Sequence, residues 1–382
     1  MFVLEALRAK YGDALLLHWG SAAEPRLAVV DGGPPGVFTD ALKPRLEELR
    51  AARGLSDGDA LPIDLMMVSH LDEDHIAGLL QMMQKVKELE EDHQPVPWLV
   101  RRCWHNAFDD LLGNDEVAVG TSASHASVAS LGDFLLGEGS KLLASVPQGR
   151  NLAKLLRGLG LDGNPPFGGL VRAPAQPIEL DGLKLTVIAP LEAELLALQT
   201  TWDQKIKPLL KKEKSSPGLA TIAAFIDDSV FNLSSLVVLV ESGSKRILLT
   251  GDGRGDHTLA GLEQAGRLDS HGKIALDVLK VPHHGSDRNV EKDYFARLKA
   301  KHYLISADGK HDNPDLATLE MISAARPDDA FTIHLTYPTD GFNVATIGKR
   351  VAKFFSDEKK KGRKYKVKTR KSGDLSLSIK LA

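Results

Sequence analysis

Cysteine is nearly absent: Cys103 is the single thiol in 382 residues, so the chain forms no internal disulfide and no thiolate cage for a metal. Nothing therefore argues for an oxidising compartment. Long apolar runs are missing too. No segment reaches the ~18 apolar residues of a membrane helix. The first twenty residues carry Glu5, Arg8, Lys10 and Asp13, which break up the apolar stretch a signal peptide needs. Net charge is also small, since 48 Lys and Arg against 51 Asp and Glu leave −3, and any phosphate-binding surface must then come from local clustering. These absences predict a cytoplasmic protein without membrane association. With 43% hydrophobic and 26% charged residues, the composition suits an ordinary globular fold and excludes disorder or a collagen-like repeat. No internal repeat is visible.

The first third reads as short strands followed by helices. Residues 14–19 and Arg26 to Val30 are apolar runs of strand length, and the second stops at Asp31-Gly32-Gly33-Pro34-Pro35-Gly36, a dense turn signal. Leu42 to Arg53 is amphipathic and helical in pattern. Ile63 to Ser69 reads as a buried strand, and the next helix runs from about Ile76 to Glu91. Residues 109–174 turn helical and rich in Gly and Ser, with Leu152, Leu155, Leu156 and Leu159 on one face. Strand pattern returns at 183–188, is interrupted by the lysine-rich stretch Lys205 to Lys214, and resumes at 235–240, 246–249, 278–281, 303–305 and 331–335. Strands falling in two groups predict two inner sheets with helices outside, an α+β arrangement, in preference to a doubly wound parallel sheet.

Ser69-His70-Leu71-Asp72-Glu73-Asp74-His75 closes a buried strand and precedes a helix. A divalent cation needs imidazole nitrogens and carboxylate oxygens converging at about 2.0–2.2 Å, and a loop between rigid elements can aim several such groups into one cavity. A solvated acidic turn capped by two histidines is the plainer alternative. The apolar strand before the cluster and the apolar helix after it place it at the end of the core, which favours the metal. Three further strand ends carry glycine-flanked candidates: Val30-Asp31-Gly32-Gly33, Thr250-Gly251-Asp252-Gly253, and Val281-Pro282-His283-His284-Gly285-Ser286. Together they supply the pieces of a two-metal site with a bridging carboxylate.

These motifs, in this order, resemble the metallo-β-lactamase superfamily, and are most similar to the hydrolase domain of DNA-uptake competence channel proteins. Gly12-Asp13-Ala14, Asn232-Leu233-Ser234-Ser235, Ser306-Ala307-Asp308-Gly309 and Asn313-Pro314 fit the same pattern. The resemblance implies a four-layer αββα sandwich with a helical insertion, read as one domain over 1–382 with insertions at about 109–175 and 191–230. It also implies a hydrolase that attacks with metal-bound hydroxide. His70 and Asp72 would bind one ion, Asp74 and His75 the other, Asp252 would bridge, and one of His283 and His284 would complete the second site, with His284 preferred because it directly precedes the glycine. Asp74 and Asp252 would orient the nucleophile and accept its proton. Lys280, His283 or Ser286 would stabilise developing charge or protonate the leaving group, and Ser286, Asn313 and Asn232 would contact substrate.

Two departures bear on the metals. Most of the superfamily has histidine where Asp72 stands, which shifts preference from zinc toward manganese. A further metal-binding histidine is expected before the bridging aspartate, and His105 is the leading candidate, ahead of His125; a purely structural His105 beside Trp104 is the alternative. The cofactor expected is thus two divalent ions, zinc or manganese. The substrate expected is a phosphate-containing one, nucleic acid included, with a small ester, thioester or lactone as the alternative, and a catalytically weak metal-binding scaffold as the reading outside the enzyme class. Two lysine-rich stretches, 205–214 and 359–371, could recognise phosphates; as an edge strand the second could equally blunt a sheet against aggregation.

Overall fold

Leu27 and Val29 leave the strand Pro25–Val30 on one face and Ala28 and Val30 on the other, and all four are buried. A strand covered on both faces must lie inside a stack of layers. The computed structural model, which describes residues 1–107, 111, 140–173, 176–201, 204 and 235–382, places it in such a stack.

Sixteen strands are present among the described residues. In the first part of the chain they are β1 (Val3–Leu7), β2 (Leu15–Gly20), β3 (Pro25–Val30), β4 (Leu61–Ile63), β5 (Leu65–Met67), β6 (Trp98–Val100) and β7 (Cys103–Trp104). In the second they are β8 (Ile178–Leu180), β9 (Leu183–Ala189), β10 (Val237–Ser242), β11 (Lys245–Leu249), β12 (Ile274–Lys280), β13 (Leu298–Ile305), β14 (Thr332–Leu335), β15 (Lys366–Thr369) and β16 (Ser376–Lys380). One sheet has the order β16-β1-β2-β3-β5-β7 and the other β15-β14-β13-β12-β11-β10-β9-β8, while β4 and β6 pair separately. From β11 to β15 neighbours run parallel, so their carboxyl ends all open on one edge of the sheet.

Three apolar cores separate four layers. The helices α1 (Lys43–Ala52), α2 (Glu73–Glu91) and α3 (Ser140–Gly158) cover the first sheet, with Leu46, Ile76, Leu79 and Leu152 packed in one core with Leu16, Val29 and Met66. Leu17, Ala28 and Val30 share the middle core with Leu185, Val187, Val238 and Ile247 of the second sheet. The helix α4 (Glu192–Thr201) follows β9. On the outer face of the second sheet lie α5 (Gly255–Gln264), α6 (Tyr294–Arg297), α7 (Leu316–Ala325) and α8 (Ala345–Lys360), which bury Leu262, Phe295, Leu319 and Val351 against Leu239, Leu279 and Ile333. The expected α+β, αββα sandwich is the observed architecture. Among the described residues no helix is long and apolar enough to cross a membrane.

Local differences from the sequence expectation are informative. Helix α2 begins at Glu73 rather than about Ile76, with Asp72 in extended conformation at its N-cap. Glu73 and Asp74 lie in the first turn, where carboxylates complement the helix dipole. The basic stretch 359–371 is not one strand: Lys359 and Lys360 end α8, and β15, exposed along its whole length, forms the edge of the larger sheet. The stretch 205–214 lies outside the described residues.

Candidate metal centre

Asp13, His75, Asp252 and His284 are buried, and each brings one ligand-capable atom within 4.8 Å of the other three. Both sheets contribute. Asp13 comes from the β1–β2 turn and His75 from the first turn of α2, whereas Asp252 follows β11 and His284 follows β12. The close approach of the first two elements depends on Gly12. A Cβ there would stand 1.9 Å from the Asp74 carbonyl oxygen, which accepts the Asp13 N–H at 3.2 Å. Strain gathers at the same edge, where Asp31 (φ 60), His283 (φ 48) and His284 (φ 56) all adopt left-handed backbone. Such residues cost about 1–3 kcal/mol each and persist only where their surroundings hold them.

Hydrogen bonds behind the rings set their tautomers. His75 Nδ1 lies 3.0 Å from Asp31 Oδ2, and His284 Nδ1 lies 3.0 Å from the carbonyl oxygen of Ser306. A carbonyl or carboxylate only accepts, so both Nδ1 atoms carry hydrogen and both Nε2 atoms face the cluster. His283 is fixed in the same way through Asn289. The Asn289 Nδ2 donates to the Asp252 carbonyl oxygen at 2.7 Å, which leaves its Oδ1 to accept the His283 Nδ1–H at 2.8 Å. His70 is set oppositely: its Nδ1 accepts the Asp72 N–H at 3.2 Å, so the neutral ring carries its hydrogen on Nε2.

The donor set fits a divalent cation. His75 Nε2 is 3.2 Å from Asp252 Oδ1, while His284 Nε2 is 3.5 Å from Asp74 Oδ2 and 3.7 Å from Asp252 Oδ1. Yet Nε2 of both rings and Asp252 Oδ1 are buried without a hydrogen bond of sound geometry. Buried polar atoms normally find partners, and imidazole nitrogens with carboxylate oxygens around a shared space are what such an ion satisfies. The electrostatics agree. Burial opposes a charge on His75, but Asp252 and Asp31 outweigh it and push its pKa well above the usual value. Burial likewise opposes the Asp252 carboxylate, while His75, His283 and His284 hold its pKa well below the ordinary range. A proton on His75 Nε2 occupies the position a cation would take.

The other residues expected from the sequence surround this group. Asp74 lies beside His284, and the His70 and His75 rings are 5.2 Å apart. His283 Nε2 is 3.7 Å from Asp252 Oδ2. Lys280 is buried against Asp13, and it is not among the residues lining the cavity described below. His105 is buried but outside the four-residue group; its backbone is held by Asn164 at 2.7 Å, and burial lowers its pKa to about 4. Asn232 and His125 fall outside the described residues. Two partners escaped the sequence reading, Asp13 as a member of the group and Asn289 as the anchor of His283. Asp13 belongs to the Gly-Asp-Ala turn, whereas a lone Asn289 carried no signal.

A cavity of about 760 Å³ opens above the group, lined by Asp72, Asp74, Asp252, His283, His284, Ser286 and Asn313 together with Tyr11, Arg254 and Arg288. Burial, with Glu73, Asp74 and Asp308 nearby, raises the Tyr11 pKa to about 12, so its hydroxyl stays protonated.

No family model matches the chain. Among curated proteins it is similar to ComE operon protein 3 of Bacillus subtilis (strain 168), 31% identical over 121 residues that make up 29% of this chain and 14% of that protein. The chain therefore matches only a small part of that relative's length. Among solved structures it is similar to Zn(2+)-bound PqqB from Methylobacterium extorquens, with 12% identity, a TM-score of 0.36, and coverage of 99% of this chain and 100% of that one. A likeness at that score carries no argument, so the four layers and the site rest on the chain's own residues.

Proposed function

We propose that the chain is a metal-dependent hydrolase of the metallo-β-lactamase superfamily acting on phosphodiesters. The observation that carries this reading is the convergence of His75, His284 and Asp252, with Asp13 and Asp74 beside them, on one buried space at the floor of an open cavity. Held by His75, His284, Asp252 and Asp13, a divalent cation would supply Lewis acidity, lowering the pKa of water and polarising the oxygen of the bond under attack. The protein's part is placement. Asp31, Ser306 and Asn289 fix three imidazoles with Nε2 facing inward. Asp252 is the carboxylate shared between the rings, and Asp74, which His284 and His75 keep ionised despite its burial, has its acceptor oxygens free to orient the attacking group. Ser286 and Asn313 offer hydrogen bonds to substrate from the cavity wall.

Whether one ion or two are held follows from metal analysis of protein purified without chelator. The four-residue group accounts for one; a second ion on His70 and Asp72 would require the His70 ring to turn, because its Nδ1 accepts the Asp72 N–H and its Nε2 carries the hydrogen. The resemblance to competence-channel hydrolase domains belongs to this proposal, and DNA transport is not inferred from it. The test is turnover of bis(p-nitrophenyl) phosphate, cyclic nucleotides and single-stranded DNA with added Mn²⁺ or Zn²⁺, beside a panel of esters, thioesters and lactones. Metal-dependent phosphodiester cleavage supports the proposal. Ester cleavage alone transfers the fold to the other substrate class, and stoichiometric metal without turnover indicates a binding scaffold.

A further inference from the structure

The cavity wall carries basic side chains that the metal centre does not use. Arg254 and Arg288 are its two arginines. Arg254 is spent on Asp256, with contacts of 3.1 and 2.8 Å from Nε and Nη2. The Arg288 guanidinium has no carboxylate within 4 Å and no hydrogen bond among the described residues, although the cavity wall also holds Asp287, Asp312 and Asp315 beside the carboxylates of the metal centre. Its backbone is well anchored. Arg288 sits in the short turn Asp287–Asn289, whose last residue is buried and bonded both to the Asp252 carbonyl oxygen and to the His283 ring. The base of the side chain is thereby tied to the metal centre, while its charged end is exposed and faces solvent.

A planar guanidinium matches two oxygens of a phosphate, and a charge-assisted pair of this kind is strong and direction-specific. We infer that Arg288 holds a second phosphate of the substrate, adjacent to the scissile one, so that the preferred substrate is an oligonucleotide chain rather than a single or cyclic phosphodiester. The inference rests on the phosphodiesterase reading and narrows its substrate class. The size of the cavity agrees, because about 760 Å³ lies in the upper part of the range for sites that enclose a whole ligand rather than one functional group.

The test compares Arg288→Ala and Arg288→Lys with the unaltered chain, each loaded with Mn²⁺. The substrates are thymidine dinucleotides with and without a 5′-phosphate, and bis(p-nitrophenyl) phosphate as a one-phosphate reference. We expect the unaltered chain to prefer the 5′-phosphorylated dinucleotide, and Arg288→Ala to lose about 10- to 100-fold in kcat/KM for it beyond any loss on the reference, mainly through KM. Arg288→Lys should recover part of the preference, since the charge returns without the fork. Equal losses on all substrates, or a preference that survives Arg288→Ala, would overturn the inference. Lys368→Ala, on the distant edge strand, serves as the control for general loss of positive charge. A second measurement keeps the question decidable if no substrate turns over, which would count against the phosphodiesterase reading itself. Fluorescence anisotropy of a labelled 5′-phosphorylated trinucleotide should then show weaker binding to Arg288→Ala, and identical binding would reject the anchor.

Discussion

Replacing Asp31 by asparagine exchanges one oxygen for an NH₂ group in a buried pocket where the neighbours donate. The Ser69 N–H reaches Asp31 Oδ1 at 2.7 Å, the Ser69 hydroxyl reaches Oδ2, and His75 Nδ1 lies 3.0 Å from the same Oδ2. If the new NH₂ group faces His75, the imidazole must accept through Nδ1 and move its hydrogen to Nε2, where it no longer ligates. If it faces the Ser69 N–H instead, two donors oppose one another in a dry site, which costs about 1–3 kcal/mol. Either outcome weakens the centre without changing side-chain volume. Loss of such an outer partner typically lowers metal affinity 10- to 100-fold, which at 1.4 kcal/mol per decade is about 1.4–2.8 kcal/mol. Calorimetric titration with Mn²⁺ or Zn²⁺ measures the affinity, and circular dichroism with thermal melting in chelator checks that the fold survives. A folded Asp31→Asn chain that binds metal within twofold of the unaltered one would refute the tautomer argument.

Further outcomes are expected. Asp252→Ala should abolish metal binding and turnover together while leaving the dichroism spectrum intact, because the residue follows a strand and holds no core; turnover at the unaltered rate would reject its place in the centre. Gly12→Ala should damage the site from outside it, since the added methyl would displace the Asp74 carbonyl; a lower melting temperature accompanied by weaker metal binding is the expected pair, and unchanged values of both would remove the case for close approach. Glu5 provides a pH effect remote from the metal. Burial raises its pKa, but bonds from His18, Arg45 and Ser376 prevail and lower it from 4.5 to about 2. A depressed carboxylate stabilises the fold above its unfolded value and loses that contribution as pH falls from about 4.5 to 2, which for this shift is on the order of 3 kcal/mol. Glu5→Gln should therefore flatten the acid limb of stability measured by urea unfolding between pH 5 and 2, and an unchanged slope there would contradict the assignment.

The parts of the fold legible in the sequence were those encoded locally. The short apolar strands and the clusters at 70–75, 252 and 283–286 each declare themselves within a few residues, and they meet at one edge of the sandwich. What stayed hidden depends on contacts across long stretches of chain. Strand β1 pairs with β16, setting Val3 against Lys380; Val3–Leu7 is almost uniformly apolar and does not alternate, whereas the strict alternation of Leu375 to Leu381 is a strand signal that the sequence reading passed over. The start of α2 was misplaced because Glu73 and Asp74 look like loop residues until the helix dipole and the cavity are known. Asp13 joins the site through a backbone bond to Asp74, 61 positions along the chain. Asn289 is even less visible, since its role is to orient a neighbour's ring rather than to ligate.

Because the two sheets supply the ligands in equal share, a bound ion would act as a rivet across the sandwich. Asp13 and His75 travel with one half, and Asp252 and His284 with the other. Prising the halves apart would then require breaking coordination as well as exposing the greasy seam between them, so chemistry and cohesion would fail in the same event.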